Sequence, residues 1–331
     1  MSDVTIYDIA KRAGVSAATV SRVINQYPHV KQSTREKIEA LLLEANYVPN
    51  ETARGLVNQA SKLVAILITD IRTTQHTDGI YYMQREFATH GYACIILNTG
   101  RSIEEKIKAI QLVCTRKVDA VVLMGSVFQT EEIKNALALY LSSVPVAFCN
   151  GCLDLPNVYS LIADEKGGVR EAVAFLNAKN RKKIAFIVNV DTASNRLKEE
   201  GYREGILADC AGFAPLVGWT GESLQDMQQC ILGLLEQCPD LQAIIFAEDQ
   251  LAFMGLHVLQ VLGKKVPEEI AIIGINNSSL AEFSLPTLTS LDNSLKEMSA
   301  AAVGCIISSF SGEATPHKRL IPISLVERES T

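Results

Sequence analysis

The apolar positions of this chain follow two regimes, with the change near Lys62. From residue 6 to 45 they recur at helical spacing. Ile6, Ile9, Ala10 and Ala13 share one face, Val20, Val23 and Ile24 a second, and Ile38, Leu41, Leu42 and Ala45 a third. Gly14 tolerates positive φ and ends the first helix. Ser16 stands where an N-cap belongs, ahead of Ala17. Ser33-Thr34-Arg35-Glu36 reads as a capping box, with Ser33 as N-cap and Glu36 at N3. Two short helices across a Gly turn, braced by a third, predict a helix-turn-helix. A plain three-helix bundle is the simpler rival. The outward face of the second helix (Ala17, Ala18, Ser21, Arg22, Asn25) argues against it, being small and polar with one reaching arginine.

From Lys62 onward the pattern alternates. Apolar runs at Leu63–Ile68, Ala93–Leu97, Val118–Met124, Val144–Phe148, Lys183–Val188, Ala243–Phe246 and Ile270–Ile273 predict buried parallel strands. Helical stretches intervene at 103–116, 166–178, 222–237 and 249–262, and a last strand is expected over Leu320–Val326. The fold class is α/β, with doubly wound parallel sheets whose sites lie at the carboxyl edges of the strands. Such alternation would also suit an enzyme. However, the chain has no GxGxxG turn, GxxxxGK[ST] loop, GxSxG elbow or HExxH, and its five histidines are scattered.

Composition narrows the classes further. A chain of 331 residues suggests two or three domains. It lacks an apolar run near the roughly 20 residues that span a bilayer. Met1-Ser2-Asp3-Val4-Thr5 is no secretory signal, so a cytoplasmic protein is expected. The eight cysteines are then expected as reduced thiols. Cys149-Asn150-Gly151-Cys152 has neither a second CxxC nor clustered histidines, and no metal or cofactor is expected. Net charge is −6 and uneven. Residues 1–61 hold seven Lys and Arg against six Asp and Glu, a net +1 that leaves −7 for the rest. A small head that engages DNA on an acidic body fits that asymmetry.

The runs Val4-Thr5-Ile6-Tyr7-Asp8-Ile9-Ala10, Ala13-Gly14-Val15-Ser16, Thr19-Val20-Ser21-Arg22-Val23 and Asn46-Tyr47-Val48-Pro49-Asn50 resemble the head of the LacI/GalR family. The resemblance implies a head over 1–49, a hinge helix and linker over 50–61, and a core over 62–331. That core would be like the periplasmic sugar-binding proteins. Subdomain one would take about 62–161 plus 291–320, and subdomain two about 162–290 plus 321–331. Ala17, Ala18 and Arg22 fall at the family's base-reading positions, where Arg can donate two hydrogen bonds to guanine. Thr5, Ser16, Thr19, Ser21, Asn25 and Thr34 are implied phosphate anchors, with His29 a further candidate contact. Asn50, Ala53 and Leu56 match the hinge helix, where a leucine pair wedges into a minor-groove base step.

In the body the resemblance is thinner. Asp164 and Lys166-Gly167-Gly168 are similar to a crossover segment, and Arg196 to a cleft arginine. Trp219 falls at an aromatic position that stacks on ligand, and Asp249 at a hydroxyl acceptor. The implied effector set is Asp70, Asp164, Arg196, Trp219, Asp249 and Asn276. A place in the core is the rival reading for Trp219, and ion pairing for Arg196 and Asp249. The chain departs from the family at Gly274-Ile275-Asn276-Asn277, where an aromatic and an Asp are usual. The expected partners are double-stranded DNA with a pseudo-palindromic site, a small polar effector such as a sugar or sugar derivative, and a second copy. No membrane partner is expected. A solute-binding protein and a sugar-modifying enzyme are the alternatives.

Overall fold

The computed structural model describes residues 4–45, 47, 61–210 and 212–331, and the chain divides into two compact units at Ser61/Lys62. The first unit contains α1 (Ile6–Ala13), α2 (Ala17–Ile24) and α3 (Gln32–Glu44). Thr5 caps α1 through a capping box with Asp8, and Gly14 closes it at φ 74°. Ser16 caps α2, its hydroxyl accepting from the Thr19 amide at 3.2 Å. The three helices enclose Ile9, Ala10, Ala13, Val20, Val23 and Ile38. Arg12 on α1 pairs with Glu44 on α3 at 2.7 Å.

The box expected at Ser33 does not form. The Lys31 carbonyl already accepts from the amides of Thr34 and Arg35, so α3 starts at Gln32. Lys31 is therefore the N-cap and makes no side-chain cap, while Glu36 accepts from Gln32 Nε2 at 2.9 Å. The expected hinge helix, with Asn50, Ala53 and Leu56, lies outside the described residues.

The second unit runs β1 (Leu63–Ile68), α4 (Thr74–Thr89), β2 (Ala93–Asn98), α5 (Ile103–Arg116), β3 (Ala120–Met124), α6 (Glu131–Tyr140), β4 (Val146–Cys149), β5 (Val158–Ala163) and α7 (Glu165–Ala178). It continues with β6 (Ile184–Val188), α8 (Ala193–Asp209), β7 (Leu216–Trp219), α9 (Leu224–Gln237), β8 (Ala243–Phe246), α10 (Asp249–Val261), β9 (Ala271–Ile275) and α11 (Ser279–Phe283). It ends with β10 (Thr289–Asp292), α12 (Leu295–Phe310), β11 (Lys318–Ile321) and β12 (Ser324–Val326). The strands form two six-stranded sheets, ordered β11-β5-β4-β3-β1-β2 and β12-β10-β9-β8-β6-β7. Every pairing is parallel except β10 with β12.

Strands β3, β4, β6, β8 and β9 are buried along their whole length. Helices on both sheet faces cover them, which is why they read as continuous apolar runs. The chain passes between the sheets after Ala163, after Asp292, and at Pro322-Ile323. The single strand expected over Leu320–Val326 is thus two strands in different sheets. Pro322, with no N–H to give a ladder, separates them. β5, β7 and β10 were not among the expected strands. Helices α7 and α8 pack closely because Gly201 faces the Lys166 carbonyl, where a Cβ would stand 2.2 Å from the oxygen.

Candidate functional site

Two places gather polar side chains on rigid elements. The first is the outer face of α2. Ala18, Arg22 and Asn25 are exposed there, and Arg22 has no ion-pair partner among the described residues. Ala17 and Ser21 are half-buried, and the Ala17 methyl packs against the head's own core, so it serves the fold as well as the face. Asn25 Nδ2 donates to Ser21 Oγ at 3.3 Å, and the Ser16 and Thr19 hydroxyls are bonded to each other at 3.0 Å. The Thr5 hydroxyl is held by Asp8 at 2.6 Å. His29 is exposed between α2 and α3, and Thr34 is half-buried in the first turn of α3. A helix carrying one unpaired guanidinium among small side chains can lie in a groove without steric hindrance.

The second place is a cavity of about 760 Å³ where the carboxyl ends of strands from both sheets meet. Thr69 and Asp70 follow β1, Ser126 follows β3, and Asn150 follows β4. From the other sheet, Asn189 follows β6, Glu248 follows β8, and Asn276 follows β9. This is the crevice that parallel α/β sheets offer a ligand.

Three of the expected effector residues line this cavity: Asp70, Arg196 and Asn276. Asp70 is gripped by the Arg72 guanidinium at 2.5–3.1 Å, which holds its carboxyl well below the usual range. Arg196 makes two bonds to Asp191 at 2.6 and 2.9 Å. Asn276, at φ 110°, accepts from Asn293 Nδ2 at 2.8 Å.

The other three lie outside the lining, each for a visible reason. Asp164 caps α7, accepting from the Gly167 amide at 3.1 Å. Asp249 is buried and braces the chain behind the strand ends. Its two oxygens accept from the Ser278 amide at 2.7 Å and the Ser290 hydroxyl at 2.6 Å. Trp219, at the end of edge strand β7, is 55% exposed.

Sequence reading passed over several lining residues. On α8 the inward positions are Ser194, Asn195, Lys198, Gly201 and Tyr202, at helical spacing, so Lys198 and not Arg196 forms the buried floor. Lys198 Nζ lies 3.3 Å from Glu165, donates to the Ala247 carbonyl at 2.9 Å and to Asn195 Oδ1 at 3.3 Å. Glu248, one residue before the expected Asp249, accepts from Asn189 Nδ2 at 3.3 Å, and burial raises its pKa. His76 bonds the Asp70 carbonyl through Nδ1 at 2.8 Å, and burial lowers its pKa. Strand-end position would have found Glu248, and the i, i+3, i+4 register of α8 would have found Lys198. The thiol of Cys149 is buried and pushed up to about 12, far from a reactive thiolate.

Bonds cross the cavity from one sheet's side to the other. The Ser194 amide donates to Ser126 Oγ at 3.2 Å, Asn150 Nδ2 donates to Glu165 Oε1 at 3.1 Å, and Arg101 pairs with Glu222. The two halves thus touch through polar groups that a bound molecule could replace or strengthen.

Residues 5–50 match the description "Bacterial regulatory proteins, lacI family", and residues 173–331 match a periplasmic binding protein-like domain. A curated "HTH-type transcriptional regulator" of Lachnoclostridium phytofermentans is 31% identical, covering 98% of this chain and 99% of its own. Among solved structures, the Lac repressor dimer bound to operator and the anti-inducer ONPF matches at 25% identity and TM-score 0.87, over 99% of this chain and 98% of that one. A complex of the transcriptional regulator CelR with cellobiose matches at 26% and 0.72, over 99% of both chains. With a head of this geometry, a cleft of this topology and a relative aligned from end to end, the chain belongs to the lacI family of bacterial regulatory proteins.

Proposed function

We propose that this regulator acts in the cytoplasm as a dimeric repressor on a pseudo-palindromic DNA site, controlled by a small polar effector held between the two sheets. The observation that carries this reading is the cavity itself. It lies at the carboxyl edges of both sheets, is lined mainly by charged and amide side chains, and is bridged by few bonds. A polyhydroxylated ligand such as a sugar or sugar derivative suits that lining, since carboxylates accept from hydroxyls and amides and cations donate to them. The cellobiose complex and the operator-bound dimer of the similar structures support the pairing of these two activities. An effector that contacts both halves would change their closure, and with it the DNA affinity of the head, by its differential affinity for the two states.

Selection from a genomic fragment library at fixed salt, with and without candidate sugars, tests this reading. Enrichment of one palindromic site, altered by a sugar, is the expected result, and no enrichment under any condition overturns it. Arg22→Ala should relax preference at one base pair per half-site by about 1–3 kcal/mol. An unchanged preference would remove Arg22 from base reading.

A further inference from the structure

Among the cations that line the cavity, Arg72, Arg101, Arg196 and Lys198 each have a carboxylate within ion-pair distance. Lys106 has none among the described residues. It is 3% exposed; its Nζ donates to the Val127 carbonyl at 2.8 Å and stands 5.4 Å from the centre of the Phe128 ring. A carbonyl and a ring face supply a dipole and a quadrupole but no net charge, and an ammonium has three donors. A buried cation without an anion is unfavourable, and burial accordingly lowers the Lys106 pKa. Its position does not help the helix either. Lys106 sits in the first turn of α5, where the helix dipole favours acidic groups. Nor does it belong to a generally basic surface, because residues 62–331 carry a net −7. With Glu165, the partner of Lys198, counted beside the four lining carboxylates, the described cations and carboxylates around the cavity are equal in number, and one carboxylate, Glu248, is pushed towards its neutral form by burial.

We propose that the effector carries an anionic group, a carboxylate or a phosphate on a polyhydroxylated skeleton, and that Lys106 Nζ receives it. This rests on the reading of the cavity as an effector site. The bound anion would supply the counter-charge that the folded chain withholds from Lys106.

Calorimetric titration of the full chain with matched sets tests the inference: glucose, glucuronate and glucose 6-phosphate, with the galactose counterparts and a panel of neutral and acidic disaccharides. At least one acidic member is expected to bind ten-fold or more tightly than its neutral parent. A preference for the uronate identifies a carboxylate, and a preference for the phosphate ester a phosphate. Lys106→Met should bring the acidic ligand down to the affinity of the parent, and Lys106→Arg should retain part of the difference. The ligand-free thermal midpoint of Lys106→Met should be equal to or above that of the unaltered chain. Three results would overturn the proposal: neutral sugars binding as tightly as acidic ones, an acid preference that survives Lys106→Met, or a lower midpoint with preference intact, the mark of a structural lysine. Binding by neutral sugars alone would leave the sugar-effector reading standing, whereas no binding by any saccharide would remove both.

Discussion

At the scale of the residue, the cavity wall is set by where each strand stops. Glu248 follows β8 and points its carboxyl among groups that desolvate it, with Asn189 its hydrogen-bond donor. Burial raises its pKa above the ordinary 4.5, so the ionised form costs stability once pH passes 4.5, and the cost grows until the folded carboxyl has itself ionised. Glu248→Gln keeps the acceptor for Asn189 and removes the charge. Its thermal midpoint at pH 7 should exceed that of the unaltered chain, and the gain should shrink as pH falls towards 4.5. A lower midpoint at pH 7 would mean that attraction to Lys198 outweighs desolvation. The adjacent Asp249 could be picked from sequence because an acidic residue at a strand end matches a family pattern. Its partners Ser278 and Ser290, 29 and 41 residues further on, could not, and they turn it from a ligand contact into a brace.

At the scale of the element, helical register decides more than residue type. α8 turns Asn195 and Lys198 inward and leaves Arg196 to pair with Asp191 at the surface. The seat of α8 against α7 depends on Gly201, whose missing Cβ admits the Lys166 carbonyl. Gly201→Ala must part the two helices, and backbone cannot swing aside as a side chain can. A loss of about 2 kcal/mol in urea unfolding is expected. Because Glu165 on α7 and Lys198 on α8 meet at this contact, the cavity floor should loosen with it. An unfolding curve that superimposes on the original would refute the close approach. Amphipathic spacing made most of these helices and the continuous-run strands legible. It could not mark the start of α3, where the Lys31 carbonyl and not the Ser33 side chain opens the helix, nor inner strand β5 and edge strand β7, whose partial exposure breaks the apolar run.

At the scale of the whole body, the two sheets are joined by three chain passages and a few polar bonds. The Arg101–Glu222 pair reaches from the loop after β2 to the loop after β7, with both side chains about two-thirds exposed, at 67% and 63%. Exposed pairs add little to global stability. Arg101→Ala should therefore leave the unfolding midpoint nearly unchanged. It should speed hydrogen exchange at the Ser194 amide, which bonds Ser126 across the same cleft. In about 1 M salt, where charges are screened beyond ~3 Å, the variant and the original should converge. Equal exchange at low salt would show that the pair does not hold the halves together. Strand–helix alternation made the two-sheet design legible, but bonds across the cleft join residues 68 and 121 positions apart, a separation that local pattern does not encode.

The passage at Pro322 has a consequence for how the protein is made. β11 closes the edge of one sheet beside β5, and β12 closes the other beside β10. Ser330 then ties the Thr289 amide to the Ile272 carbonyl through its buried hydroxyl. The first sheet lacks its outermost strand until residue 321 has been made, and the second lacks its own until residue 326. Until then β5 and, once it has been made, β10 present open edges in the nascent body, and the two are covered one directly after the other.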